Sequence, residues 1–238
     1  MAGFRGIIQK RSTAEGTAMT AQPKAPTKTV LNREYILKSA LYLIDTNGLE
    51  ALNLRALGQQ MGVSQTAIYR HIPNKAALLD GVVELIWKSA THISHITNNM
   101  SWQDGLESVV LEVYKTILTH PNAIPLMATR SINTQQSQVM VRDWLDKLQE
   151  HGLQVGTDTI LMFNSLACLT LGAAIAQVEP PTKSAGGEVD TDLINHLSEQ
   201  YPALATFMSP LMELDSVIEV SYRKGLHALI SGWAQSAQ

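Results

Sequence analysis

The sequence predicts an all-α protein, with a small N-terminal helix-turn-helix unit ahead of a larger helical body. Three observations predict it. From Asn32 onward apolar residues recur at spacings of three and four, the period of one helix face. Asn, Ser, Gly and Pro stand where such patterns begin and end. No apolar–polar alternation of useful length occurs, and the composition is poor in aromatics, at 5%, and rich in Leu and Ala.

Each element can be justified in turn. Residues 1–30, rich in Ala, Thr, Pro, Lys and Gln, have little periodicity and read as a disordered basic arm, with Met19 a candidate start. Asn32 is a candidate N-cap for a first helix carrying Ile36, Leu37, Ala40, Leu41 and Ile44, closed by Gly48 as a left-handed cap. Asn53 opens a second helix, "LRALGQQM". After the turn "GVS", Ser64 opens a very short third helix that Pro73 stops. Asn74 opens a fourth, "KAALLDGVVELIWKSATHI". The body continues with a helix over 101–120, a short piece "NAIPLMATR", and an amphipathic helix ending at Gly152. A long apolar helix at about 156–178 follows, then a Pro/Gly/Ser loop at 179–190. A short helix near 191–199 precedes a last one, "LMELDSVIEVSYRKGLHALISGWAQ". The domains expected are 1–30, 31–91 and 92–238.

Charge and cysteine narrow the function classes. The net charge of −3 is unevenly spread: residues 1–80 carry +5 and residues 81–238 carry −8. A basic front on an acidic body suits contact with a polyanion. The one cysteine, Cys168, leaves no intramolecular disulfide and no cysteine zinc site, which fits a reducing cytoplasm. It is expected to be buried and unreactive. The start of the chain has no long apolar stretch of the secretory type. The run "TILMFNSLACLTLGAAIA" is marginal for a bilayer span and reads as a fully buried helix, so no membrane partner is expected. No Ser/His/Asp order, phosphate loop or acid pair suggests an enzyme. No cofactor is expected. His92 and His95 read as surface histidines, so no metal site is expected.

The short third helix poses the main question. Ile68 and Ile72 give it one apolar side, which leaves Gln65, Thr66, Tyr69 and Arg70 on the other. A second helix, a three-residue turn and a short third helix make a helix-turn-helix, whose free side can enter a DNA major groove. Gln pairs bidentately with adenine and Arg with guanine, while Thr and Tyr suit a thymine methyl or a phosphate. Lys75, at the start of the fourth helix, suits a phosphate. Arg70 and His71 either add contacts or face solvent.

"LNLRALGQQMGVSQTAIYRHIPNKAALLD" resembles the DNA-binding domain of tetracycline-repressor (TetR) family regulators. "SWQDGLESVVLEVYKTILTHPNAIPLMATR" and "LQEHGLQVGTDTILMFNSLACLTLGAAIAQVE" are similar to the regulatory domain of the tetracycline-repressor branch. The resemblance implies base contacts from Arg55, Gln65, Thr66 and Tyr69 and a phosphate contact from Lys75. Ser64, Arg70 and His71 complete the candidate DNA-binding set. The branch has Pro where Thr66 stands, Thr where Ala67 stands and Trp where Arg70 stands, so a different operator is expected.

The resemblance further implies a homodimer in which the 156–178 helix and the last helix pair with their symmetry mates. Leu171, Gly172, Ile218, Tyr222, Gly225 and Leu229 are the candidate interface. It also implies a ligand pocket, for which Trp102, Val109, Val113, Met127, Arg130, Trp144, Met162, Leu166 and Cys168 are the candidate lining. Magnesium-tetracycline is not the expected ligand: Leu126 stands where the branch has its magnesium-binding His, and Ala176 where it has a Glu. A small hydrophobic or amphipathic organic effector is expected instead. Arg130 suits an anionic group on it, or a structural role at a helix end. The expected function is a cytoplasmic homodimeric repressor of operator DNA. The alternative is a helical small-molecule carrier or enzyme with a vestigial helix-turn-helix.

Overall fold

A computed structural model of the chain describes residues 31–90, 96–97, 99–130, 134–178, 191–213 and 217–236. The expected basic arm, the 179–190 loop, His92 and His95 lie outside the described residues. The described residues form eleven α-helices and no strand.

The first four helices are α1 (Arg33–Asn47), α2 (Leu54–Met61), α3 (Gln65–Tyr69) and α4 (Lys75–Ala90). Their starts are fixed by the expected caps. Asn32 accepts the Tyr35 N–H and Asn53 the Ala56 N–H, each at 2.8 Å. Ser64 accepts the Ala67 N–H at 3.2 Å, and Asn74 the Ala77 N–H at 2.8 Å. Each cap satisfies one N–H that a helix start leaves without an internal partner. Gly48 departs from the expected left-handed cap: its φ is 84° but its ψ is 163°. Ile36, Ile44, Leu57, Ile68, Leu78 and Val82 are fully buried and form the core of this unit.

The body follows as α5 (Trp102–Leu118), α6 (Ile124–Thr129), α7 (Gln135–Glu150), α8 (Thr157–Gln177), α9 (Thr191–Gln200), α10 (Pro202–Glu213) and α11 (Val217–Ser236). The last helix read from sequence is therefore two: residues 211–213 end α10, and α11 begins at Val217. Helix α4 packs on both α1 and α5, which makes it the element shared by the front unit and the body.

Helices α8 and α11 run antiparallel, with Thr170 beside Tyr222 and Leu169 beside Gly225. Helix α8 is apolar enough to span a bilayer by length and composition, yet only 28% of its most apolar window is buried within the chain. The expectation of a fully buried helix is corrected: one chain covers a single stripe of α8. Leu161, Cys168, Gly172 and Ile175 remain exposed along its other side. Cys168 is thus exposed rather than buried, because it belongs to that uncovered stripe.

Candidate nucleic-acid interface and effector cavity

The reading head is built by two close backbone approaches. Gly62 takes the left-handed conformation at φ 68°, ψ 28°, open chiefly to glycine. The Val63 N–H then bonds the Gly58 carbonyl at 2.9 Å. A Cβ on Gly58 would stand 2.8 Å from the Val63 carbonyl oxygen, so the turn presses against α2 where α2 has no side chain. With Ile68 and Ile72 at 0% and 1% exposure, α3 is anchored by one side only.

The other side is free. Ser64, Gln65, Thr66, Tyr69, Arg70 and His71 are all exposed, as are Arg55 on α2 and Lys75 at the start of α4. Tyr69 keeps 49% of its surface in solvent, large for an aromatic side chain. Arg55, Arg70 and Lys75 make no ion pair among the described residues. Most other Lys and Arg among the described residues are paired, as Lys38 is with Glu34, Arg33 with Glu84, Lys115 with Glu112 and Arg223 with Glu219. Unpaired guanidinium and ammonium groups beside Gln, Thr and Tyr can bind phosphates and base edges.

A second feature lies in the body. Helices α4, α5, α7 and α8 enclose a cavity of about 640 Å³, with Trp87, Val113, Trp144, Phe163, Leu166 and Thr170 in its walls. No charged side chain lines it among the described residues. Its polar groups are few, among them Gln138, Asn164 and Thr159. A largely apolar hollow with sparse polar groups suits an organic ligand.

Of the pocket residues read from sequence, Val113, Trp144 and Leu166 line this cavity. Trp102 and Met162 line a different cleft. Val109 and Met127, at 3% and 4% exposure, belong to the core. Arg130 is spent elsewhere: its guanidinium pairs with Asp80 and donates to the Ala76 carbonyl at 3.3 Å. Cys168 faces outward. Sequence reasoning missed Trp87, Phe163 and Thr170. The signal for Trp87 was a large aromatic on the one helix that both units share.

Thr170 also belongs to a buried polar joint. Its hydroxyl lies 2.7 Å from the Leu166 carbonyl and 3.0 Å from the Tyr222 hydroxyl, which also reaches the Val110 carbonyl at 3.4 Å. Tyr222 stacks on Tyr114 with ring centroids 4.1 Å apart. Burial pushes the Tyr222 phenol up to about 12, with the Thr170 hydrogen bond acting the other way. Burial likewise raises Tyr114. Tyr222, expected at a dimer interface, is 2% exposed within one chain. A Cβ on Gly225 would stand 3.8 Å from Leu169 of its own chain, whereas nothing lies within 4 Å of one on Gly172. Leu171, Ile218 and Leu229 are half-buried.

The front unit is fastened to the body at three points. Arg33 meets Glu84 at 3.2 Å, and Thr134, the N-cap of α7, donates to the same carboxylate at 2.9 Å. Asp80 holds Arg130 at the end of α6. His120 Nδ1 lies 2.9 Å from Asp45 at the end of α1, and Asn122 donates to the Asp45 carbonyl at 2.9 Å.

The family model for bacterial regulatory proteins of the tetR family matches residues 36–82, and the tetracyclin repressor-like C-terminal domain matches residues 97–236. The chain belongs to the TetR family. This TetR-family protein is 28% identical over 204 residues to the class D tetracycline repressor protein of Escherichia coli, covering 85% of this chain and 89% of the relative. The fold matches ActR of Streptomyces coelicolor. In complex with actinorhodin, ActR superposes with a TM-score of 0.69 at 20% identity, over 88% of this chain and 99% of its own. Ligand-free ActR gives the same score over 89% and 100%. Members of the family are DNA-binding transcriptional regulators with a ligand-binding C-terminal domain, and the reading head and cavity described above occupy those two domains here.

Proposed function

We propose that this protein is a cytoplasmic, homodimeric repressor that leaves its operator when an uncharged, hydrophobic or amphipathic organic molecule fills the 640 Å³ cavity. Residues 31–91 form the reading head and 92–238 the sensing and pairing body. The observation that carries the reading is the path of α4. Lys75 at its first residue stands beside the exposed reading surface, and Trp87, twelve positions on, lines the cavity. At roughly 1.5 Å per residue these points are about 18 Å apart on one rigid rod.

In this reading Gln65, Thr66, Tyr69 and Arg70 meet base edges, helped by Arg55. Ser64, His71 and Lys75 hold the backbone. One short helix reads few base pairs, and two half-sites need a two-fold dimer. The exposed stripe Leu161, Cys168, Gly172 and Ile175 on α8 supports that pairing, with Leu171, Ile218 and Leu229 at its margins and Tyr222 and Gly225 bracing α8 against α11 from within. A ligand that favours one placement of α4 weakens DNA binding by its differential affinity for the two states.

Helical carriers and enzymes offer no reason for the exposed Gln65, Thr66 and Tyr69 of α3 with Arg70 at its end. The test is fluorescence anisotropy on DNA selected from a random pool, against scrambled DNA, over a salt series. Selective, salt-sensitive binding that Tyr69→Ala abolishes is expected. Equal weak binding to both DNAs would sink the regulator reading for this chain.

A further inference from the structure

A second cleft, of about 410 Å³, lies between the start of α5, the α7–α8 connection, the first turns of α8 and the end of α11. Trp102 and Trp233 both line it, and Asp158 stands at its rim. Both indoles are half-buried. A Cβ on Gly152, whose φ of 99° excludes most side chains, would stand 3.9 Å from the Trp102 ring, and His151 Nδ1 lies 2.9 Å from the Met100 carbonyl. The Asp158 carboxylate has no hydrogen bond or ion pair among the described residues. No Lys, Arg or His is among the described residues lining the cleft. The α8 N-terminus opposes Asp158 with only about half a positive charge, so the rim keeps a net negative charge.

We propose that this cleft is a second ligand site, selective for organic cations of the alkylammonium or quaternary ammonium class. Indole faces carry negative potential at their centres and attract such groups more strongly than the other aromatic rings do. The unpaired carboxylate supplies the countercharge. An organic anion would meet the carboxylate with nothing to offset it, and a neutral molecule would gain nothing from it. The site is distinct from the 640 Å³ cavity, which is lined by Trp87 and Trp144 and has no carboxylate. The two hollows share Thr159 in their walls. The proposal does not depend on the repressor reading.

The experiment is calorimetric titration of the full-length protein with benzyltrimethylammonium chloride, compared with its carbon isostere neopentylbenzene. Saturable binding of the cation is expected, with the isostere at least tenfold weaker. Asp158→Asn should weaken the cation about fivefold, the scale of one solvent-facing charge pair, and leave the isostere unchanged. Trp233→Leu should weaken the cation about tenfold. Ala167→Phe, which fills the other cavity, should leave cation binding intact. If Trp233→Leu impairs folding, as judged by its melting curve, Asp158→Asn still decides, because that side chain is exposed and unpartnered. No saturable binding at millimolar cation, equal affinity for cation and isostere, or loss of binding in Ala167→Phe with none in Asp158→Asn would each overturn the proposal.

Discussion

Replacing Gly58 with Ala sets two physical effects of opposite sign against each other. Gly58 lies inside α2, and Gly→Ala in a helix interior ordinarily stabilises by about 1 kcal/mol. Here the new Cβ would stand 2.8 Å from the Val63 carbonyl oxygen and 3.7 Å from Ile68 Cδ1. The nearer atom is backbone, held by the Val63–Gly58 hydrogen bond, so it yields only by moving the turn. Overpacking of this kind costs typically about 1–3 kcal/mol. The expected net is a loss of about 1 kcal/mol, a melting temperature lower by roughly 2–4 °C in a chain of this size. The same shift displaces α3 from its seat on Ile68, so affinity for selected DNA should fall at least tenfold. The assay pairs a melting curve at fixed protein concentration with anisotropy on that DNA. A variant that melts higher and binds DNA as tightly as wild type would show that propensity wins, and the close approach of turn and helix would be refuted.

Four further outcomes are expected. Lys75→Ala should weaken binding equally on all DNA sequences and lower the salt slope by about one, whereas Gln65→Ala should relax preference at one base pair by about 1–3 kcal/mol; anisotropy against single-base variants of the DNA separates the two. Cys168, the protein's one thiol, should react with Ellman's reagent more slowly as protein concentration rises, because pairing through α8 covers it; a rate independent of concentration would remove α8 from the dimer seam. Ala167→Phe should cut binding of the neutral probe N-phenyl-1-naphthylamine at least tenfold, read by probe fluorescence. Finally, the folded Tyr222 keeps its proton up to about pH 12, above the usual phenol value of about 10. Its contribution to stability is therefore complete below pH 10 and lost as pH rises through 12. Tyr222→Phe should flatten the alkaline fall in stability followed by denaturant titration, leaving the smaller slope due to Tyr114.

The front unit was legible because its information is local. Caps at Asn32, Asn53, Ser64 and Asn74 act within three residues, and the buried partners of α3 are four positions apart. The residues proposed to read DNA are marked by what they lack, an apolar neighbour at helical spacing. The cavity was less legible, because its walls are assembled from helices far apart in sequence. Val109 and Val113 share a face of α5, yet one turn of helix decides that Val113 reaches the cavity and Val109 the core. Arg130 could be read as a ligand partner or a structural cation, and only the fold brings Asp80 to it from fifty residues away. The apolar α8 likewise says that it must be covered, but not that one chain covers a single stripe. That fraction depends on where α11 lies.

The placement of Arg130 bears on how the two sites communicate. Asp80 and Glu84 are one turn apart on α4, and each fixes a different part of the structure: Asp80 the end of α6, Glu84 both α1 and the start of α7. Helix α4 thus meets α6 and α7 through the polar groups of Asp80 and Glu84, while it packs on both α1 and α5. Polar contacts of this kind, with Arg33 and Asp80 each more than a third exposed, are individually weak and can exchange for water at small cost. The apolar contacts, with Leu78, Val82 and Ile86 fully buried, cannot. On the proposed reading, a ligand that displaces Trp87 would part α4 from α6 and α7 and slide it on α5, carrying α1 with it, rather than shear through the core that holds α1, α2 and α3 together. The proposed switch is then a movement of the whole reading head, which would change the distance between the two heads of the proposed dimer without any change in their shape.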